Sequence, residues 1–527
     1  MILLLFSEHV FFMINFILTF LACSSEKMEN ETAETGTLPS PINQFGIQAQ
    51  SEQSRLGRSI ATGDFNGDGF EDLALGAYNQ EGPGSVFIYY GKTLKDLEEG
   101  QILKDADLVL TSGTDDEDED FGWALSVKDI NGDGFDDLLV GAPAMEGSAN
   151  GAAYLYLGGG SGLSLSADLS FSPPDVTHET PSDGYGEQFG TSVHFAGDFN
   201  GDGTEEIAIG SPHYSADGDD MGGRVSVWSV SEDMTSSLLD EYKGGEEKLG
   251  FGNSLDSGDF NGDGTQELVL GSKSQNIPFT EEMVPAKVVV LRWEGSGLSS
   301  LTVIEGDNPY TSFGIEVLVG DFNNDGISDL AIAQASYFCT GYETNPDGTP
   351  RDGAEDVCTD EDYYARVFLY QGGEDFGTLS STLEDSENIS SGMGFYMTSG
   401  DVDGDGDEDL VLSAPGSGDG AGFVYVYEND HGKFTKKLDI CNNHATNVNF
   451  GEAGDLVSIN GGLYLVVSGY RLSYNQADID SGDPFSWVNS DDECSGISPE
   501  SQDKTTTDAM NYSEAGFLWA VNLNSLI

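Results

Sequence analysis

Short runs of apolar residues recur along the chain, and turn-forming residues bound each of them. Residues 138–140 (LLV) precede a Gly-Ala-Pro segment, and residues 153–157 (AYLYL) alternate in character; comparable runs lie at 86–90, 225–228 and 424–427. A period of two residues with Gly, Asn and Asp at the borders is typical of β-strands and not of helices. The pattern predicts an all-β chain of many short strands joined by turns.

A nine-residue segment rich in Asp, Asn and Gly stands between the first two strand-like runs of most units. Six copies align: DFNGDGFED (64–72), DINGDGFDD (129–137), DFNGDGTEE (198–206), DFNGDGTQE (259–267), DFNNDGISD (321–329) and DVDGDGDED (401–409). A seventh, degenerate unit has Asn460-Gly461-Gly462 in place of the segment. The spacing of the copies suits one four-stranded sheet per unit. Seven such units close naturally into a ring, which removes the open sheet edges.

The composition of these segments predicts a calcium loop in each of the first six units, or about six structural Ca²⁺ ions. Ca²⁺ takes about 6–8 oxygen ligands, whereas Mg²⁺ demands a rigid octahedron. We expect side-chain ligands at loop positions 1, 3, 5 and 9, a backbone carbonyl at position 7, and Gly at position 6 for the positive φ of the turn. The expected ligand residues are Asp64, Asn66, Asp68, Phe70, Asp72, Asp129, Asn131, Asp133, Phe135, Asp137, Asp198, Asn200, Asp202, Thr204, Glu206, Asp259, Asn261, Asp263, Thr265, Glu267, Asp321, Asn323, Asp325, Ile327, Asp329, Asp401, Asp403, Asp405, Asp407 and Asp409.

Two alternatives compete with this interpretation. A helical EF-hand needs Glu at position 12 of the loop. That position is hydrophobic in all six copies: Leu75, Val140, Ile209, Leu270, Ile332 and Leu412. A plain hairpin turn explains one such segment alone, but six copies with one ligand order favour the metal loop.

Recurring short motifs in the units resemble a known repeat. Phe-Gly recurs ahead of the first strand, at residues 121–122, 189–190, 251–252, 313–314 and 450–451. Gly141-Ala142-Pro143 follows the second strand of its unit, and other units carry variants such as Gly271-Ser272-Lys273. These motifs resemble the FG-GAP repeat of the integrin α-chain N-terminal propeller. The resemblance covers residues 45–527 and implies a seven-bladed β-propeller, in which a segment near Phe45-Gly46 supplies the outer strand of the last blade.

The start of the chain has the character of a targeting segment. Residues 13–22 (MINFILTFLA) are apolar, and residues 20–23 (FLAC) resemble a bacterial lipobox in which Cys23 is lipidated. We therefore expect a lipoprotein signal peptide over residues 1–22, a flexible tether over 23–44, and export to the outer membrane or cell surface. An ordinary signal peptide of a secreted protein and a single membrane anchor are the alternatives.

The charge balance limits the partners of the chain. With 20 Lys and Arg against 93 Asp and Glu, the formal net charge is −73. Nucleic acids and anionic membrane surfaces need a basic patch, so we expect neither as a partner, and membrane contact only through a lipid anchor. The four cysteines beyond Cys23 suggest disulfides in an exported chain, and proximity favours Cys339–Cys358 and Cys441–Cys494. A zinc site is the weaker alternative, because no CxxC motif is present.

The sequence contains no recognised catalytic motif, and His194 is expected to be structural. Two insertions, 336–366 and 470–514, follow the Gly-Ala-Pro position and should emerge on the face opposite the calcium loops, because strand direction alternates within a blade. Both contain cysteine and aromatic residues, which suit a recognition surface. We expect a surface-bound propeller that recognises a protein or polysaccharide on that face. The alternatives are an extracellular lyase or hydrolase built on the propeller, and a purely structural envelope protein.

Overall fold

Seven sheets follow one another along the chain, and each forms one blade of a β-propeller around four antiparallel strands. The computed structural model describes residues 44–526 except for 49–53, 81, 99, 115, 117, 146–148, 176–184, 217–220, 232, 246–247, 274–283, 308–310, 336–364, 374–375, 385–391, 416–421, 443–449, 470–486 and 490–516. The expected all-β, seven-bladed architecture is confirmed.

The strands are numbered in chain order. They begin with β1 (Gln44–Gln48), β2 (Ile60–Gly63), β3 (Asp72–Ala77), β4 (Ser85–Tyr89), the short helix α1 (Gly91–Lys95), β5 (Ile102–Leu103), β6 (Leu108–Leu110), β7 (Ala124–Lys128), β8 (Asp137–Ala142), β9 (Ala152–Tyr156), β10 (Leu169–Phe171), β11 (Val193–Gly197), β12 (Glu206–Ser211), β13 (Arg224–Val230) and β14 (Ser236–Lys243). They continue with β15 (Ser254–Gly258), β16 (Glu267–Gly271), β17 (Lys287–Glu294), β18 (Gly297–Glu305), β19 (Ser312–Gly320), β20 (Asp329–Ala335), β21 (Arg366–Tyr370), β22 (Leu379–Glu384), β23 (Met397–Gly400), β24 (Asp409–Ala414), β25 (Phe423–Asp430), β26 (Lys433–Asn442), β27 (Gly454–Ile459), β28 (Gly462–Gly469), β29 (Trp487–Asn489) and β30 (Phe517–Asn522), and a 3₁₀ turn follows (Leu523–Ser525).

The first strand of each blade lies innermost, around a central channel. These inner strands contact one another in order around the ring, from β2 through β7, β11, β15, β19 and β23 to β27, and β27 contacts β2 in turn. The second strands of blades one to six are buried along their described length, as in Asp137–Ala142, because a neighbouring blade covers each of their faces; in the seventh blade, only Leu463 of β28 is half-buried. The hydrophobic core therefore consists of layers between adjacent blades.

The strand β1 closes the ring. It pairs antiparallel with β30, with Phe45 opposite Ala520, and becomes the outer strand of the seventh blade. Phe45 and Ile47 are each only 1% exposed, and both pack in one core cluster with residues of the first and last blades. This pairing confirms the prediction for the Phe45-Gly46 segment, and β1 begins one residue before the expected boundary at residue 45.

Deleting residues 44–48 is expected to destabilise the whole ring. Burial of a Phe or Ile side chain contributes about 1.5–3 kcal/mol each, so the loss of Phe45 and Ile47 should lower the free energy of unfolding by at least ~3 kcal/mol. Thermal unfolding followed by circular dichroism measures the change. Deletion of an equally long piece of the polar segment 24–41 is the matched control, and equal melting temperatures for the two variants would contradict ring closure by β1.

Two blades gain a strand that the repeat pattern does not predict. In the seventh blade β5 lies parallel to β1, with Gly46 opposite Ile102. In the sixth blade β29 pairs antiparallel with β26, which sets Val488 opposite Cys441. β29 belongs to the insertion between β28 and β30, so a segment of the seventh unit extends the edge of the sixth blade.

The Gly of the Gly-Ala-Pro position is required by the approach of the next blade. A Cβ at Gly76 would lie 2.0 Å from the carbonyl oxygen of Gly122, the Gly of the following Phe-Gly motif. Gly122 has φ of +92°, which a side chain would strain. Ser59 donates a hydrogen bond of 2.9 Å to the same carbonyl oxygen. The two motifs of the repeat are thus the two sides of one contact between blades.

A fully buried arginine lies in the third blade. The guanidinium of Arg224 is 0% exposed, and its Nη2 donates to both carboxylate oxygens of Glu187, which is also 0% exposed, at 2.6 Å. Its Nη1 donates to Glu241 at 3.0 Å, and the ring of Tyr214 lies 4.4 Å from Cζ. Such a charge is tolerated in a core only when it is paired and hydrogen-bonded. No sequence pattern pointed to this cluster.

Candidate metal loops and the pocket on the opposite face

The six Asp-rich segments all join the first strand of a blade to the second. In the first blade, β2 ends at Gly63, Asp64 opens the loop, and Asp72 is the first residue of β3. The same placement of the ninth position recurs at the first residue of the second strand in blades two to six. Because the equivalent hairpin is used each time, the six loops lie on one face of the ring.

The six loops share one internal geometry. The position-1 carboxylate accepts a hydrogen bond from the Gly at position 6, as in the 2.8 Å bond from Gly69 to Asp64, and this bond recurs in all six loops at 2.8–3.1 Å. The position-3 side chain accepts from the backbone N–H of position 5, and position 5 accepts from position 7. These bonds turn the oxygens of positions 1, 3 and 5 toward the inside of each turn. In the sixth loop, oxygens of Asp401, Asp403 and Asp405 lie within 4.8 Å of one another.

The ninth position closes the base of each loop. Asp72 accepts hydrogen bonds from the backbone N–H groups of Phe65 (3.0 Å) and Gly91 (2.6 Å), and the amide of Asn66 lies beside it at 3.3 Å. Burial raises the pKa of Asp72 to about 7, although the two backbone bonds oppose the shift. The structure thus brings position 9 next to position 3. It holds position 9 by backbone donors that the sequence did not identify.

The apolar residue at position 2 also holds each loop in place, and this role was not predicted from the sequence. Phe65 is fully buried and packs with Leu138, Val140 and Tyr156 of the second blade. The corresponding residues of the other loops are buried as well: Ile130, Phe199, Phe260, Phe322 and Val402. An apolar anchor in the core between blades therefore fixes each loop, and the alternation of apolar position 2 with polar positions 1 and 3 was the available signal.

The side chains present fit a hard divalent cation. All of the inward-facing donors are carboxylate or amide oxygens, which are the ligands that Ca²⁺ prefers. In the third loop, Oδ1 of Asp198 is buried and has no hydrogen-bond partner among the described residues. A buried acceptor without a donor is unfavourable, and a bound cation would satisfy it. The side chains at position 7 do not share a common role, since Thr204 donates to Asp202 while Asp407 accepts from the backbone N–H of His431.

The seventh blade has a two-residue turn in place of the loop. Ile459 pairs with Gly462 across the hairpin, so only Asn460 and Gly461 connect the strands. Both have positive φ, +52° and +76°, as the tight Asn-Gly hairpin turn requires. The expected difference between the seventh unit and the other six is confirmed.

A pocket of about 380 Å³ opens at the channel end opposite the metal loops. Its lining includes the residues that follow each Phe-Gly position, at or near the starts of the innermost strands, and these come together from all seven blades. Residues at or just after the Pro of the Gly-Ala-Pro position complete the lining. Polar residues that line this channel mouth include Arg58, Gln188, Thr191, Asn253, Lys273, Glu316 and Glu452. The described ends of both insertions, Ala335 and Arg366 in the fifth blade and Gly469 and Phe517 in the seventh, join second and third strands and therefore lie on this face.

Inside the channel, polar side chains form a hydrogen-bonded lining. His194 Nε2 lies 2.9 Å from Ser257 Oγ and 3.6 Å from Asp256 Oδ1. A serine nucleophile and an orienting carboxylate need the two different nitrogens of the imidazole, whereas here one nitrogen faces both groups. Burial lowers the pKa of His194 to about 4, which keeps the ring neutral. The geometry agrees with the structural role expected for His194.

Three channel carboxyls should make stability depend on pH. Burial raises the pKa of Asp256 to about 7, of Glu316 to about 8 and of Asp455 to about 6; the charge of Asp256 adds to the shift of Glu316, and that of Arg58 opposes it. The folded state therefore holds protons that the unfolded chain releases near pH 4. The stabilisation that these three carboxyl groups contribute is fully present below that pH and is lost as the pH rises toward 8.

Replacement Glu316→Gln isolates this effect. Near pH 5, the free energy of unfolding of the variant should equal that of the parent. At pH 8.5 it should be higher than that of the parent by at least ~1 kcal/mol, since one pKa unit corresponds to about 1.4 kcal/mol. Urea unfolding at saturating calcium across this range measures the difference. A constant offset at all pH values would contradict the raised pKa.

Several sequence predictions fall on residues outside the described part of the chain. They are the signal peptide 1–22, the lipidated Cys23, most of the tether 23–44, and the side chains of Cys339, Cys358 and Cys494; for Cys441 only the backbone is described. Within the described residues, no helix has the length and apolar character needed to cross a bilayer.

Two models of repeat families match the chain. The FG-GAP repeat matches residues 56–89, 121–156, 189–228 and 397–427, and the FG-GAP-like repeat matches residues 259–332. These segments contain the candidate metal loops of blades one to six and the strand that follows each loop, in whole or in large part.

The chain is also similar to several characterised proteins. Integrin alpha-4 of Xenopus laevis is 30% identical over 225 residues, which are 42% of this chain and 20% of that protein. Integrin alpha-8 of Mus musculus is 33% identical over 190 residues, 34% of this chain and 15% of that protein. Phosphatidylinositol-glycan-specific phospholipase D of Dictyostelium discoideum is 30% identical over 237 residues, 41% of this chain and 24% of that protein. The matches thus span a quarter or less of each relative's length.

Proposed function

We propose that this chain, which carries FG-GAP repeats in an integrin-like β-propeller, is a calcium-stabilised binding protein of the cell surface. The observation that carries the proposal is that the two faces of the ring have different features. Six loops of one geometry occupy one face, and the other face has a polar pocket and the exits of both long insertions. Adhesion or ligand binding by an integrin-like propeller is consistent with the similarity to integrin alpha chains.

Calcium is the proposed occupant of the six loops. Positions 1, 3 and 5 of each loop would hold the ion with position 9 and the position-7 carbonyl, as in the set Asp64, Asn66, Asp68, Phe70 and Asp72. A site built from carboxylate, amide and carbonyl oxygens on a flexible turn suits Ca²⁺ better than Mg²⁺. The bound ion would offset the mutual repulsion of the carboxylates and fasten the first two strands of each blade together.

The proposed partner is a protein or a polysaccharide that docks on the face opposite the calcium loops. We infer that Cys23 carries a lipid that anchors the exported protein to the outer membrane or cell surface, with secretion as the alternative. The proposed disulfides Cys339–Cys358 and Cys441–Cys494 would brace the two insertions. Support for the second comes from β29, whose Val488 lies opposite Cys441 and six residues before Cys494.

An enzymatic function remains the alternative because a phospholipase D is among the relatives. The similarity covers 24% of that protein, so its activity is not carried over to this chain. The single-nitrogen contacts of His194 also give no support for a serine hydrolase in the channel.

The test is a binding experiment with the two insertions replaced. Residues 336–364 and 470–516 are exchanged for short Gly-Ser linkers, which leaves Arg366 and its ion pairs with Asp307 (3.3 Å) and Glu384 (3.1 Å) in place. Calcium-loaded protein without residues 1–23 is immobilised and exposed to surface extracts, and captured material is identified by mass spectrometry and glycan analysis. Capture by the parent and at least tenfold less by the variant is expected.

A matched control places a Gly-Ser replacement on the metal face, in the β13–β14 turn at residues 231–235. This variant should bind as the parent does. Equal capture by the insertion variant, or loss of capture by the turn variant alone, would move the binding surface away from the proposed face.

A further inference from the structure

Two cationic side chains meet in the channel mouth of a strongly acidic protein. Arg58 and Lys273 both line the pocket, and burial, followed by the charge of Arg58, lowers the pKa of Lys273. They belong to a chain with only 20 Lys and Arg against 93 Asp and Glu. Lys273 stands where Gly-Ala-Pro has Pro, and Arg58 is the residue after the Leu56-Gly57 variant of Phe-Gly. Both cations therefore occupy positions at which the repeat directs a residue into the channel mouth.

The two cations are held differently. The guanidinium of Arg58 stacks on Trp123, with Cζ 4.3 Å from the ring, and the edge of Trp123 meets Tyr78 at 4.7 Å between centroids. This stack fixes Arg58 at the pocket wall. Lys273 is half-buried, and its ammonium has no ion pair or hydrogen bond in the part of the chain that the structure describes. Glu316 and Glu452 line the same pocket, but among the described residues neither forms an ion pair with Lys273, so the ammonium is free to bind an anionic ligand.

The geometry points to a binding site for a uronic acid sugar, whose single carboxylate is held by Lys273 and Arg58 while its hydroxyls contact the neighbouring polar side chains. This inference rests on the proposed binding function and names the chemistry of the ligand. Gln188, Thr191 and Asn253 line the same pocket and supply amide and hydroxyl groups for the ring hydroxyls.

Size and charge favour this ligand over two others. A pocket of about 380 Å³ falls in the range of small-molecule sites, ~300–1,000 Å³, and one acidic side chain of a docked protein would leave much of it empty. A polyanion would place further negative charges against a surface with a net charge of −73. At physiological ionic strength the Debye length is about 8 Å, so the local cations attract one carboxylate at the pocket but not a long anionic chain.

The test is isothermal titration calorimetry of the calcium-loaded protein with sodium glucuronate, glucuronamide and N-acetylglutamate. Glucuronate should bind, and glucuronamide, which differs by the loss of the charge, should bind at least tenfold more weakly. Lys273→Met should weaken glucuronate binding at least tenfold, whereas Lys273→Arg should stay within about threefold of the parent. Lys433→Met, which removes an exposed lysine on the metal-loop face, should bind as the parent does.

Several results would overturn the inference: no heat with glucuronate, equal binding of the amide, or parental affinity in Lys273→Met. Tighter binding of N-acetylglutamate than of glucuronate would replace the sugar with an acidic peptide. Since the comparison of glucuronate with its amide uses the parent protein alone, it decides the question even if Lys273→Met does not fold. If the parent protein captures a partner in the insertion experiment but does not bind glucuronate, the uronic acid site is contradicted and the proposed binding function is not.

Discussion

Removal of calcium by EGTA is expected to lower the melting temperature of the protein by more than ~10 °C. A ligand at a hundred times its Kd stabilises the folded state by about 2.7 kcal/mol per site, and six proposed sites act together. Positions 1, 3, 5 and 9 of each loop include three or four carboxylates, which repel one another without the ion; in the sixth loop, oxygens of Asp401, Asp403 and Asp405 lie within 4.8 Å of one another. Differential scanning calorimetry with and without EGTA measures the shift.

Two controls make the calcium result specific. Excess Mg²⁺ added after EGTA should restore only a small part of the melting temperature, because Mg²⁺ retains its waters and needs an octahedral cage. A variant with Asp68→Ala should lose part of the calcium effect, whereas Asn460→Asp in the seventh blade, whose turn has no loop, should leave the effect unchanged. An unaltered melting curve after chelation would remove the structural role of the metal.

Replacement of Arg224 by Met is expected to destabilise the propeller by about 3–5 kcal/mol. Removal of one partner of a buried ion pair leaves the other charge without compensation, and here Glu187 would remain at 0% exposure after losing two hydrogen bonds of 2.6 Å. The packing of the guanidinium against Tyr214 would be lost as well. Urea unfolding at saturating calcium measures the change in free energy.

The second replacement Glu187→Leu separates charge from packing. When both partners of a buried pair are replaced by apolar groups of similar volume, stability is often regained, so the double variant should recover at least half of the loss. Arg292→Met is the exposed control, because Arg292 and Glu294 are 42% and 62% exposed and 3.4 Å apart; such pairs contribute about 0–1 kcal/mol. A loss in Arg292→Met as large as in Arg224→Met would show that burial is not the cause.

The repeat made the blade architecture predictable because each unit repeats its own local signals. Strand alternation, the Asp-rich hairpin and the Phe-Gly motif lie within one unit, and six or seven copies reinforce one another. The role of Phe-Gly became clear only in three dimensions, where the carbonyl of Gly122 meets Gly76 of the preceding blade. A single sequence records that these glycines recur but not that they face each other.

Features that depend on distant residues were missed. Arg224 and Glu187 are separated by 37 residues, and neither stands in a motif. The pairing of β29 with β26 connects the seventh unit to the sixth across an irregular insertion. In the candidate metal loops, the inward turn of positions 1, 3 and 5 could be expected from the spacing. The backbone donors to Asp72 could not, because they come from Phe65 and from Gly91, which lies beyond the third strand. Such contacts are set by the packing of strands and leave no periodic trace.

The pairing of β1 with β30 also orders the events of folding. Because Gln44 pairs with Val521, the last blade cannot form until almost the whole chain is present. Blades two to six are built from neighbouring segments and can form as each segment becomes available, since contacts between nearby residues form fastest. During synthesis or translocation, β1 therefore remains unpaired until β30 is available. An unpaired apolar strand can pair wrongly with a second chain. A chaperone or rapid late synthesis would protect this strand, and truncated chains that lack β30 should be the species that aggregate.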